Sequence, residues 1–270
     1  MTTDQRQQIP ETMQRLVVRI SPDSLSFSTS SRGEVTFESY ALKNSISLAA
    51  NLREALRNVP MLHESYQRVV VMTDSPMLIV PVSLFSEDHV DELYRYTYTG
   101  QEQRVVVHSV VPELNAVAIF SVQKDFRQVL IDRFPQVSFR PATSPVWYRF
   151  YQKSFTGNRA KLYGYCHDHR MDVFSFATNR FKFFNSYAVS NPDDALYYLL
   201  AVWKQLGMIP QEDELHLSGD LPEKETLLER ARQFVKRVYV SNPSGEFNRA
   251  NVTSIEGMPY DLMLYYLKGK

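Results

Sequence analysis

The chain has 270 residues, with 30 Lys and Arg against 30 Asp and Glu, so its formal net charge is zero. That balance excludes functions resting on a basic excess, such as gripping a nucleic-acid backbone or an anionic membrane surface. A 44% hydrophobic share excludes long disorder, one cysteine excludes an intramolecular disulfide, and nine glycines leave little material for glycine-rich phosphate cradles.

The opening twelve residues are polar and carry no apolar run of signal-peptide type, and no stretch reaches 18 uncharged apolar residues. An intracellular, cytoplasmic protein without membrane insertion is expected. Residues 15–20 read as a short apolar strand, Ser21-Pro22-Asp23-Ser24 as a turn, and 25–29 as a strand of period two. Ser31-Arg32-Gly33 turns again before a third strand at 35–41. Ser45 is placed to cap a helix in which Ile46, Leu48, Ala49, Leu52, Leu56 and Val59 fall at helical spacing before Pro60. Residues 68–72 have the continuous apolar character of a buried parallel strand. Pro81 confines the extended run at 77–84 to a sheet edge or a bulge. A helix from Ser86 to about Gly100, strands at 104–111 and 115–122, and a helix at 124–134 follow. A fourth helix starts at Ser144-Pro145, and polar residues 153–159 mark a boundary, dividing the chain into 1–156 and 157–270.

The second part repeats the order: strands at 161–166, 171–177 and 181–189, with turns at 167–170 and 178–180. Asn191-Pro192 starts a helix that Gly207 stops, and a strand at 214–218, a helix at 222–233, a strand at 235–240 and a helix near 260–267 complete the chain. Set without gaps at an offset of 147, residues 16–42 and 163–189 share six identities, among them Phe27 with Phe174 and Ser39-Tyr40-Ala41 with Ser186-Tyr187-Ala188. An internal duplication is expected.

Three strands, a helix and an apolar strand, present twice, resemble the ribonuclease-H-like fold doubled in the actin-like ATPase superfamily. The run Val70-Val-Met-Thr-Asp-Ser-Pro-Met-Leu-Ile-Val-Pro-Val-Ser-Leu-Phe85, an acidic helix, two strands and Asp125-Phe-Arg-Gln-Val-Leu-Ile-Asp-Arg-Phe134 resemble the actin-like type IV pilus assembly proteins. The chain is also similar to a bacterial family of unknown function with this fold. The resemblance implies an α/β protein of two mixed sheets flanked by helices, its two halves packed around a central cleft.

Active members of that superfamily resemble Asp-x-Gly at each turn between strands one and two, where amides and a carboxylate hold phosphate and magnesium. Here the first turn is Ser21-Pro22-Asp23-Ser24, with no glycine and a proline that donates no amide. The second is Cys166-His167-Asp168-His169, which keeps a carboxylate but again lacks glycine, and Leu217-Ser218-Gly219-Asp220 offers one glycine where the adenosine turn has two. The resemblance therefore nominates Asp23, Ser24, Asp168, His169, Ser218, Gly219 and Asp220 as a nucleotide cleft. Each has a plainer reading: Gly219 as a turn needing positive φ, Asp220 as a cap for the next helix, Asp23 and Asp168 as ordinary hairpin aspartates.

His167 and His169, two apart on an extended segment, would share a face and suggest zinc or nickel, but no third or fourth ligand stands nearby in the sequence, and no metal site is expected. Cys166 and His167 point to opposite faces, which excludes a nucleophilic pair and leaves the thiol a buried small hydrophobe. A nuclease needs carboxylates from the first strand onward, and residues 16–20 have none. The aromatic groups Tyr94-x-Tyr96-x-Tyr98 and Trp147-Tyr148-x-Phe150-Tyr151 suit either core packing between two domains or a protein interface. The expected function is a non-catalytic scaffold with another protein as partner and no cofactor; the alternative is an Mg-ATP-binding actin-like protein with weak or no hydrolysis.

Overall fold

The computed structural model describes residues 15–31, 33–177, 180–247 and 250–267; the polar opening twelve residues and the turn residues Arg32, Thr178 and Asn179 lie outside them. In chain order the first part contains β1 (Arg15–Ile20), β2 (Ser24–Ser31), β3 (Glu34–Ala41), α1 (Leu48–Asn58), β4 (Arg68–Thr73), β5 (Leu78–Pro81), α2 (Val90–Thr97), β6 (Arg104–Val111), β7 (Ala116–Gln123), α3 (Lys124–Arg133), β8 (Val137–Pro141) and α4 (Ser144–Ser154). The second contains β9 (Lys161–His167), β10 (Arg170–Ala177), β11 (Arg180–Ala188), α5 (Pro192–Gln205), β12 (Glu214–Gly219), α6 (Lys224–Phe234), β13 (Arg237–Val240), the short α7 (Pro243–Glu246) and α8 (Tyr260–Leu267).

Two five-stranded sheets repeat one order, β3-β2-β1-β4-β8 and β11-β10-β9-β12-β13, and a three-stranded sheet runs β5-β7-β6. In each large sheet the first three strands form an antiparallel meander and the fourth lies parallel to the first, with Arg15 opposite Arg68 and Lys161 opposite Glu214. The duplication thus holds in topology, but the gapless alignment does not hold in register. With Leu16 set on Tyr163, the partner Thr29 would fall on Phe176, whereas Tyr163 pairs with Phe174. The cause is the turn: four residues separate the last pair Ile20–Leu25, and two separate His167–Arg170.

Two helix starts differ from the sequence expectation, each for a local reason. Ser47, not Ser45, caps α1, accepting from the Ala50 amide at 3.2 Å. The buried Asn51 side chain accepts from the Lys43 amide at 2.8 Å and donates to the Lys43 and Ile46 carbonyls at 3.1 and 3.3 Å, so residues 43–46 are tied into a loop. Asp220 does not cap α6; Glu223 does so in a left-handed conformation without a side-chain bond, while the Asp220 amide donates to Cys166 O at 2.8 Å. Asn191 caps α5 as expected, accepting from the Asp194 amide at 2.9 Å.

The chain forms two compact units. The first, comprising the described residues of Met1–Thr73 with Gln103–Val105 and Val122–Arg140, contains the first large sheet with α1 packed on α3. The second comprises Asp74–Glu102, Val106–Ser121 and the described residues of Pro141–Lys270. In it, Leu162, Cys166, Met171 and Val173 on one sheet face meet Leu199, Val202, Trp203, Leu227 and Ala231 of α5 and α6. The opposite face is aromatic: Phe150 of α4 packs on Tyr163 and Phe174 at 4.6 and 5.8 Å, and Tyr260 of α8 on Tyr165 at 5.8 Å. Trp147 and Phe150 are fully buried in the core of this unit while Tyr148 and Tyr151 are half-buried, whereas Tyr96 of α2 is 89% exposed.

Candidate functional site

The site lies in the second unit, on the sheet face that carries α4 and α8. Period two places Tyr163, Tyr165 and His167 of β9 on that face and Gly164 and Cys166 on the other, so Cys166 and His167 diverge as expected. Cys166 is buried, and burial pushes its thiol up to about 12, leaving it an inert apolar group. Asp168 and His169 then reverse the chain in two residues, both left-handed at φ 47° and 58°, the type I′ geometry whose twist matches a hairpin. Asp and His are among the few non-glycine residues that adopt this region readily. The turn sends His169 into solvent, where its carbonyl accepts from the Val189 amide at 3.0 Å. His167 and His169 therefore share no face.

His167 is 3% exposed and sits between two carboxylates. Its Nδ1 is 3.2 Å from Asp168 Oδ2 and its Nε2 is 3.2 Å from Asp172 Oδ2. Burial works against its charge, but Asp172, Asp168 and Asp74 overcome it and push the imidazole up to about 10. The Tyr165 ring stacks on it at 4.6 Å, and the Tyr165 hydroxyl donates to Asp261 Oδ2 at 2.9 Å. Asp172, on β10, is fully buried; burial alone would raise its carboxyl, yet the His167 charge, with hydrogen bonds including that from Thr143 Oγ1 at the start of α4, holds it below the ordinary range.

Asp74 completes the group. Its side chain is 12% exposed, and among the described residues its ion-pair contact is Arg170 Nε at 3.7 Å, too long for a hydrogen bond. Burial raises its carboxyl despite the charges of His167 and Arg170. Arg170 is held in turn by Ser186 Oγ, to which Nε and a terminal nitrogen donate at 3.1 and 2.8 Å.

Of the residues nominated from sequence, Asp168 alone joins this cluster. Ser218 is buried and donates to Gly164 O at 3.4 Å. Gly219, at φ +80°, ends β12 so close to β9 that a Cβ would lie 2.0 Å from Cys166 O and 2.8 Å from the Tyr165 ring. A turn that admits only glycine accounts for it fully. Asp23 and Ser24 belong to the first unit, where the Asp23 carbonyl accepts from the Leu42 amide at 2.8 Å and the Ser24 carbonyl from the Ser21 amide at 2.9 Å. Sequence reading missed Asp74, Thr143, Arg170 and Asp172. For Asp172 a signal existed: an acid inside the apolar run Met171–Phe176 must be neutralised where it is buried.

Comparison with known proteins agrees with the fold. A Bacteroides thetaiotaomicron protein with an actin-like ATPase fold and unknown function is 29% identical and superposes with a TM-score of 0.80 over 91% of this chain and 97% of that one. The PilM-PilN type IV pilus biogenesis complex follows at 11% identity and a TM-score of 0.58, covering 96% and 99%. No curated protein matches the sequence. Among the described residues no helix is long and apolar enough to cross a membrane. The family model for proteins of unknown function DUF3822 matches residues 4–238, and the chain belongs to that family, built on the actin-like ATPase fold.

Proposed function

We propose that this chain is a non-catalytic actin-like scaffold that acts through contacts with another protein. One observation carries the reading. At the β9–β10 turn, where the superfamily pattern has Asp-x-Gly, Asp168 is paired with the buried imidazole of His167 and the backbone folds into a two-residue reversal. A two-residue reversal without glycine is poorly suited to cradle the phosphates that magnesium would accompany. The Gly219 turn points the same way, because its freedom is used to meet Cys166 and Tyr165. A protein partner suits the exposed apolar side chains Val82, Leu84, Leu93, Tyr96 and Val110, all within the segment that carries α2 and the small sheet. A two-protein complex built on this fold, PilM-PilN, supports it by analogy.

Thermal unfolding with and without millimolar Mg-ATP tests the proposal. The midpoint is expected to stay unchanged. Saturation at one hundred times a dissociation constant would add about 2.7 kcal/mol, so a clear upward shift overturns the scaffold reading in favour of an Mg-ATP-binding protein.

A further inference from the structure

We propose that His167 Nδ1, Asp168 and Asp74 form a site for one divalent transition cation of the zinc–manganese class, bound by the protein directly and without nucleotide. One donor atom from each of the three lies within 4.8 Å of the others. The 3.2 Å between Nδ1 and Asp168 Oδ2 is close to the separation of two ligands on a tetrahedral cation, about 3.3 Å for bonds of about 2.0–2.1 Å. The same pair of atoms that shares a proton is thus spaced to share a metal.

Two further observations point to a cation. The first is the other ring nitrogen. Nε2 is 3.2 Å from Asp172, a fully buried carboxylate anchored by Thr143, and this is the arrangement that fixes the tautomer and orientation of metal-binding histidines. It leaves Nδ1 as the nitrogen available to a metal. The second is Asp74, a largely buried carboxylate reached by no hydrogen-bond donor among the described residues and placed to close onto the pair. One imidazole with two carboxylates suits zinc or manganese better than magnesium, which prefers an all-oxygen shell.

The test uses the full chain stripped with chelator and titrated calorimetrically with Zn²⁺, and separately with Co²⁺ followed by visible absorption. One equivalent per chain is expected, with cobalt bands that appear as the site fills. Asp74→Asn should weaken binding by more than the roughly 10–100-fold that outer supporting residues cost, and Thr143→Val by roughly 10-fold. Absence of stoichiometric binding and of cobalt bands in the unmutated chain overturns the proposal, and so does binding that Asp74→Asn leaves intact in protein with unchanged circular dichroism. Should Asp74→Asn fail to fold, the cobalt spectrum still decides. The site does not depend on the scaffold reading: the Mg-ATP measurement can fail while zinc binds, and the reverse.

Discussion

The two large sheets share one strand order, yet the turns that follow their first strands share almost no chemistry. After β1 the chain reverses through Ser21–Ser24, with Asp23 exposed, the Ser21 amide donating to the Ser24 carbonyl and the Asp23 carbonyl accepting from the Leu42 amide. After β9 it reverses in two left-handed residues beside a buried imidazole, and Asp172, one strand over, is buried with it. A repeated topology needs only apolar strands of the right length and a reversal between them, which both turns supply. Charge placement is not part of that requirement, so the halves were free to diverge there. The duplicated frame therefore says little about which turn does something; the buried charges of the second do.

The largest expected effect tests whether the second half is built as tightly as this contrast requires. Gly219→Val would force a Cβ against a backbone carbonyl held in the β9–β12 ladder and against the Tyr165 ring, at a φ that a β-branched residue avoids. Loss of more than about 4–5 kcal/mol, seen as failure to fold in urea titrations, is expected. Gly33→Ala in the first half is the control: it shares a positive φ, but its Cβ meets nothing within 4 Å, so only left-handed strain of about 1–2 kcal/mol remains. A Gly219→Val protein that folds normally would break the comparison and reopen close approach of a nucleotide.

The buried imidazolium gives the next effect. His167→Gln removes the cation between Asp168 and Asp172 and leaves a fully buried carboxylate without it, a loss of about 3–5 kcal/mol. The pH dependence follows from the direction of the shift. The folded-state value, about 10, lies above the ordinary 6.5, so the folded state holds the proton more tightly. This stabilisation is complete below pH about 6.5 and is lost as pH rises towards 10. The urea midpoint of chelator-treated protein should fall across that window, and the fall should be much smaller in His167→Gln. Equal slopes in the two proteins would show that His167 carries no charge in the folded state.

Much of the frame was legible in sequence. A continuous apolar run gave the buried strand β4, period two gave β2, and Asn191-Pro192 and Gly207 bounded α5. Turn length was the weak point: turns of two and four residues carry similar polar residues, and that difference shifted the register of the second meander by two. The site was mostly illegible because it is assembled across distance. Asp74, Thr143 and Asp172 lie far apart in the chain, Thr143 and Asp172 by 29 residues, and alone they look like a loop acid, a helix-entry hydroxyl and a misplaced strand acid respectively. Their meaning depends on burial, which local pattern does not report for a lone polar side chain.

The smallest effect sharpens the comparison most cleanly because it makes one substitution in both turns. Asp23→Asn removes a charge from an exposed position and should change stability by less than about 0.5 kcal/mol. Asp168→Asn leaves the backbone equally content, since asparagine also accepts left-handed φ. It nevertheless deprives a buried imidazolium of a charged acceptor and should cost about 1.5–3 kcal/mol at neutral pH. Matched urea titrations of the two variants in chelator read the difference directly. Equal small losses would mean that the His167–Asp168 contact contributes nothing in solution and that the second turn is as inert as the first. Unequal losses would locate the chemistry of this duplicated fold in one copy of a shared turn.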